Sequence, residues 1–154
     1  MTIVFTMKGV QDTLEVYEDK VTITPKGILG AMNKGFKGTK SIPYTSITAI
    51  QFKKNGFMSG YLQFTLQGGI ESRGGVMDAT KDENTFMFAG AQANTEAEKI
   101  KLYIEKQVQQ AHSIASQKQD TYSLSSELEK LADLKNKGVL SDEEFLSAKK
   151  RLIG

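Results

Sequence analysis

The chain has 154 residues with a single histidine, no cysteine and a formal net charge of +2. Lack of cysteine excludes disulfides and thiolate metal sites, and with His112 as the lone histidine a zinc site of the usual His/Cys type cannot be built within one copy. Hydrophobic residues at 39% and charged residues at 25% describe a globular chain able to pack a core, long enough for one domain and an appendage.

Met1–Gly9 lacks a basic leader and is interrupted by Thr6 and Lys8, unlike a secretory signal. No stretch approaches the roughly 20 apolar residues needed to cross a bilayer. The expected location is therefore cytoplasmic. Charge is unevenly spread: residues 1–57 hold eight lysines against four acidic residues, and Lys34 to Lys54 holds five lysines and no acid. Attraction to an anionic partner is expected to reside there.

In chain order, the first 90 residues read as strands and turns. Strands are expected near Ile3–Lys8, Leu14–Tyr17, Val21–Thr24, Lys40–Tyr44, Thr48–Lys53, Tyr61–Gln67 and Asn84–Phe88. Glu18-Asp19 and Gly68-Gly69 suit tight hairpin turns. Thr48–Lys53 and Tyr61–Leu66 alternate cleanly, so each should bury one face and wet the other.

The pattern changes at Asn94. Asn94–Ala111 is predicted to be a helix, with a Thr95-x-x-Glu98 capping box and an apolar stripe of Ala97, Ile100, Ile104, Val108 and Ala111 for packing onto the sheet. Residues 112–123 are polar and read as a linker into which the helix could continue. From residue 124 the local signals agree. Leu124, Leu128, Leu131 and Leu134 form a stripe, and Gly138 stands where a left-handed residue ends a helix, with Val139 folding back on Leu134. Ser141 and Glu144 form a second capping box, flanked by a staple of Leu140 and Phe145. Phe145, Ala148 and Leu152 continue the buried face, and Lys149, Lys150 and Arg151 suit the negative end of the helix.

No catalytic constellation emerges. Nucleophilic catalysis needs a histidine held beside a nucleophile, and His112 reads as a solvated residue at the end of a helix. Asp82-Glu83 fits turn chemistry better than acid–base work. Gly68-Gly69 and Gly74-Gly75 bracket Ile70–Arg73, but no helix follows directly, as a phosphate-cradling loop would require. The loop Gly27–Gly38 is more suggestive, with apolar Ile28, Leu29, Met32 and Phe36 beside Lys34 and Lys37. With Lys40, Lys53 and Lys54 it could meet an anionic ligand or bilayer, each lysine contributing about 1 kcal/mol if clustered. The simpler reading buries the apolar residues and leaves the lysines solvated. Nucleic acid is disfavoured by the near-neutral balance.

Two family resemblances attach to these residues. Leu128-Glu129-Lys130-Leu131-Ala132-Asp133-Leu134, then Gly138-Val139-Leu140-Ser141-Asp142-Glu143-Glu144-Phe145 and Lys149-Lys150-Arg151-Leu152, resemble the SHOCT domain, a short helical hairpin ending many bacterial and phage proteins. Leu14–Gly27, Gly38–Phe52, Gly60–Gly69 and Asp82–Phe88 resemble bacterial pleckstrin-homology-like (PH-like) domains. That resemblance implies a mainly β domain, a bent antiparallel sandwich or partial barrel capped by one α-helix. It carries over no catalytic residue and no cofactor.

The expected organisation is a PH-like domain over 1–111, a linker over 112–123 and a SHOCT helical hairpin over 124–154. A hairpin of about thirty residues lies below the roughly 40-residue size at which isolated folding usually fails. Leu124, Leu128, Leu131, Leu134, Leu140, Phe145 and Leu152 should therefore bury against another surface, either the same chain, a further copy or another protein. The expectation is a non-enzymatic adaptor that forms a homo-oligomer or docks a protein. Alternatives are a membrane-surface or anionic-ligand module using Lys34, Lys37, Lys40, Lys53 and Lys54, and a bacterial or phage inhibitor of a macromolecular target. The last rests on analogy alone.

Overall fold

Two residues, Glu18 and Asp19, separate two segments of alternating apolar character, which forces the chain straight back on itself. The computed structural model describes residues 1–27, 38–68 and 82–154, and shows this turn joining β2 (Asp12–Tyr17) to β3 (Lys20–Pro25). Among the described residues, β1 (Ile3–Lys8), β2, β3 and β4 (Lys40–Pro43) form one antiparallel sheet in that order. A second antiparallel sheet orders β5 (Ile47–Lys53), β6 (Gly60–Leu66) and β7 (Thr85–Phe88). Two helices follow, α1 (Ala93–Asn136) and α2 (Asp142–Ile153). The chain divides into two compact units, 1–111 and 112–154. Helix α1 contributes residues to both.

The first unit is organised by one apolar cluster. Leu14, Val16, Val21, Ile23 and Ile42 come from the first sheet, and Ile47, Leu62, Phe64, Phe86 and Phe88 from the second. Ala97, Ile100 and Ile104 of α1 complete it, and Val108 and Ala111 pack at its margin, so the predicted stripe falls on the core. Bulges near Ile3–Phe5 and Ile47–Ala49 interrupt the ladders of β1 and β5, and such insertions bend and twist a strand. The sheets approach each other closely at Gly9. A side chain there would strike the Met87 carbonyl and the Phe86 ring, while the next amide, of Val10, donates to the Met87 carbonyl at 2.9 Å. Only glycine leaves room for that backbone approach.

Several expectations need correction. Tyr44 does not end β4. It opens a short 3-10 turn, Tyr44–Ser46, that carries the chain from one sheet to the other. The second sheet alternates less cleanly than its sequence suggests. Gln63, on the face expected to be wet, is buried because its amide donates to Asp82 at 2.8 Å. Helix α1 starts at Ala93, so Thr95 lies inside the first turn and is not the N-cap. It also runs through 112–123. That stretch contains neither glycine nor proline, and two of its hydroxyls bond back to the helix itself, Ser116 to the His112 carbonyl and Thr121 to the Gln117 carbonyl. His112 is accordingly an exposed residue within a helix, not at a frayed end. The loop residues 28–37, with Lys34 and Lys37, lie outside the described residues, as do Gly69, Ile70–Arg73 and Gly74-Gly75.

Tyr44 is 2% exposed and its hydroxyl donates to the Tyr17 carbonyl at 2.5 Å, tying the 3-10 turn to the end of β2. Burial pushes this phenol above its ordinary value, and Tyr103 and Asp19 add to the effect. The folded chain thus holds the proton more tightly than the unfolded chain. Stability from this source is fully present below about pH 10 and is lost as the pH rises through the folded value. Tyr44→Phe should cost about 1 kcal/mol at neutral pH by leaving the Tyr17 carbonyl without its donor. In urea titrations across alkaline pH the variant should lose stability less steeply than the wild type. Parallel declines would show that another group governs the alkaline limb.

Candidate functional site

The C-terminal unit is a helical hairpin built from strong local signals. At the end of α1, Gly138 adopts φ 75°, the Val139 amide donates to the Leu134 carbonyl at 2.9 Å and the Gly138 amide to Lys135 at 3.0 Å. This is the paired hydrogen-bond pattern of a Schellman stop. Ser141 then caps α2: its hydroxyl accepts from the Glu144 amide at 3.2 Å, while the Glu144 carboxylate accepts from the Ser141 amide at 2.9 Å. Lys135 fastens the two helices together. Its ammonium lies 3.3 Å from Asp142 and 4.8 Å from the centre of the Phe145 ring.

Yet no residue from His112 to Gly154 is fully buried. Leu128, Leu131, Leu140, Phe145, Ala148 and Leu152 are half-buried, and Leu124 and Leu134 are exposed. The residues predicted for docking thus fall into two sets, one shared between the helices and one facing solvent. An open groove of about 700 Å³ runs along the hairpin. Leu131, Ala148 and Leu152 supply its apolar lining, and Ser147 a small polar one. Glu127 and Lys130 of α1, and Glu143, Glu144 and Arg151 of α2, supply charge of both signs.

Of the lysines foreseen as an anionic contact, Lys40, Lys53 and Lys54 are among the described residues. Lys40 lies 3.8 Å from Glu83, and Lys53 lies over the Tyr61 ring at 6.0 Å. Beside Lys53 and Lys54, however, the loop between β5 and β6 exposes Phe57 completely and Met58 by half. This feature escaped the sequence reading, although Gly56-Phe57-Met58-Ser59 interrupts the alternation of the flanking strands and could have flagged it. The loop is braced at its base. Asn94 mimics a peptide group, accepting from the Asn55 amide at 2.6 Å and donating to the Asn55 carbonyl at 2.9 Å. Asp82 does serve as a turn former, accepting from the Asn84 amide, the Thr85 hydroxyl and the Gln63 amide. Among the described residues, no group of three or more metal-ligating side chains occurs, and no helix is long and apolar enough to cross a membrane.

Two antiparallel sheets with a helix on their core, followed by a helical hairpin, define a two-part chain of β module and helical appendage. The chain belongs to the family described as Domain of unknown function (DUF4429), which matches residues 16–105, more than half its length. Residues 126–153 match the Short C-terminal domain, SHOCT. No match is found among the curated proteins or among the solved structures.

Since the reciprocal cap satisfies backbone amides at the start of α2, Ser141→Ala should cost about 1 kcal/mol. The loss should appear locally, as faster amide hydrogen exchange through the first turn of α2, with the strands of the first unit unchanged. Unaltered exchange at Glu144 would show that the cap contributes nothing.

Proposed function

We propose that this protein is a non-enzymatic interaction protein. Its β unit, which we read as PH-like, binds a partner, and its hairpin mediates oligomerisation or docking of another protein. The observation that carries the reading is the half-buried apolar groove. Leu131, Ala148 and Leu152 line a surface that the end of α1 and the short α2 leave unfinished. Burying such a surface gains on the order of 25 cal/mol for each Å² withdrawn from water. The match to SHOCT over 126–153 fits a small module of this kind. The PH-like reading is supported by the four-plus-three-strand plan followed by a helix. A cysteine-free chain suits action in the cytoplasm.

Sedimentation equilibrium of the full chain tests the association. The apparent mass should rise above 17.0 kDa with concentration. Leu131→Asp, which places a charge in the groove, should weaken association by about tenfold or more, with thermal unfolding of the β unit preserved. A mass fixed at the monomer value throughout rejects self-association and leaves docking of a different protein.

A second reading, contact with a membrane surface or anionic ligand through the Lys34–Lys54 region, is favoured by Phe57 and Met58 beside Lys53 and Lys54. The combination of an apolar tip and basic flanks suits an acidic bilayer. In flotation with acidic liposomes, the chain should rise with the vesicles at low salt and be released at high salt, and Phe57→Ser should bind less. Absence of binding at low salt removes this reading.

A further inference from the structure

We infer that the groove of the hairpin is covered by the same groove of a second copy of this chain, with the two α2 helices antiparallel about a twofold axis passing near Ser147. This rests on the hairpin being an association element, and adds to it the identity and register of the partner.

Charge placement carries the argument. The first turn of α2 holds Asp142, Glu143 and Glu144, and its last turn Lys150 and Arg151. Acids at the start and bases at the end suit the helix dipole of any isolated helix. The dipole does not account for which of them line the groove. Glu143, Ser147 and Arg151 all do, at four-residue spacing along one face, as does Glu144, whose carboxylate is held by the Ser141 amide, whereas Asp142 and Lys150 do not, and Glu127 and Lys130 of α1 add one charge of each sign. Glu143 and Arg151 stand equally far on either side of Ser147, about 6 Å along the axis in each direction. An antiparallel copy centred there brings each Glu143 opposite the Arg151 of its mate, twice over, because a twofold interface repeats every contact. A parallel copy would oppose glutamate to glutamate and arginine to arginine. The crossing point also suits close approach, since Ser147 and Ala148 are small where helix axes must come within about 8–10 Å. Leu131 and Leu152, half-buried in one hairpin, would then complete a four-helix arrangement of the two hairpins.

Charge-reversed full-length chains test this by sedimentation equilibrium and native mass spectrometry. The wild type should dimerise. Glu143→Arg alone and Arg151→Glu alone should each weaken the dimer by about tenfold or more, because each sets like charges face to face. An equimolar mixture of the two single variants should form the heterodimer, and the double variant should recover self-association. Each variant carries its own helix penalty into the mixture, so recovery there separates pairing from folding. If the dimer is abolished by Leu131→Asp yet indifferent to the charge reversals, or the mixture fails to pair, the antiparallel register is overturned while hairpin association stands. A wild type that stays monomeric overturns the second copy as occupant.

Discussion

Among the described residues the two sheets of the first unit share no hydrogen-bonded ladder, so their union depends chiefly on what lies between them. That is the apolar cluster into which Ile100 and Ile104 of α1 project, both without solvent exposure. Leu14 and Ile23 reach it from one sheet and Phe64 and Phe88 from the other. Close packing of this kind tolerates neither a gap nor an added methyl group. The same constraint explains Gly9, where backbone of one sheet meets the Phe86 ring and Met87 carbonyl of the other. It also explains why the loop between β5 and β6 is held at Asn55. The Asn94 side chain at the start of α1 occupies both polar groups of the Asn55 backbone, so the start of α1 and the base of the loop are fixed to each other.

Much of this was legible before any coordinates. β1 spans the residues expected for it, Ile3–Lys8, and the other strands fall within about two residues of expectation, because turn chemistry at Glu18-Asp19 and alternation in the flanks agree. The hairpin was legible in finer detail, down to the Gly138 stop and the Ser141–Glu144 cap, because both depend on neighbours within five residues. What escaped depends on distant partners. Gln63 could not be read as buried without Asp82, nineteen residues later in the chain. Asn94 shows in sequence only as the start of a helix, yet its amide is committed to Asn55, thirty-nine residues earlier. The continuation of α1 through 112–123 was left open in the sequence for a different reason. A helix that buries nothing shows no apolar period, and only the absence of glycine and proline and the hydroxyl back-bonds of Ser116 and Thr121 mark it.

The sequence names apolar residues of the hairpin but not the shape they form. Leu128, Leu131, Phe145 and Leu152 were expected to need cover, and they are half-buried. Which side of them stays open follows from the Gly138 turn and the Lys135 clasp on Asp142 and Phe145, and only the folded hairpin exposes that. The lysine region illustrates the opposite limit. A run without acidic residues says nothing of where acids from elsewhere will fall, and Glu83 falls beside Lys40.

The two units divide their stability differently, and that division bears on function. The first closes around a core whose largest side chains are nearly solvent-free, so its contacts with other molecules need not be what folds it. The second has no such residue, and its order comes from caps, a stop and one lysine clasp. Each of these contributes about 1 kcal/mol or less in exposed settings. An element so marginal is easily biased by whatever binds it, because a ligand stabilises the folded form in proportion to the logarithm of its concentration over Kd. An occupant of the groove, such as the second copy we propose, would therefore couple its binding to folding of the hairpin.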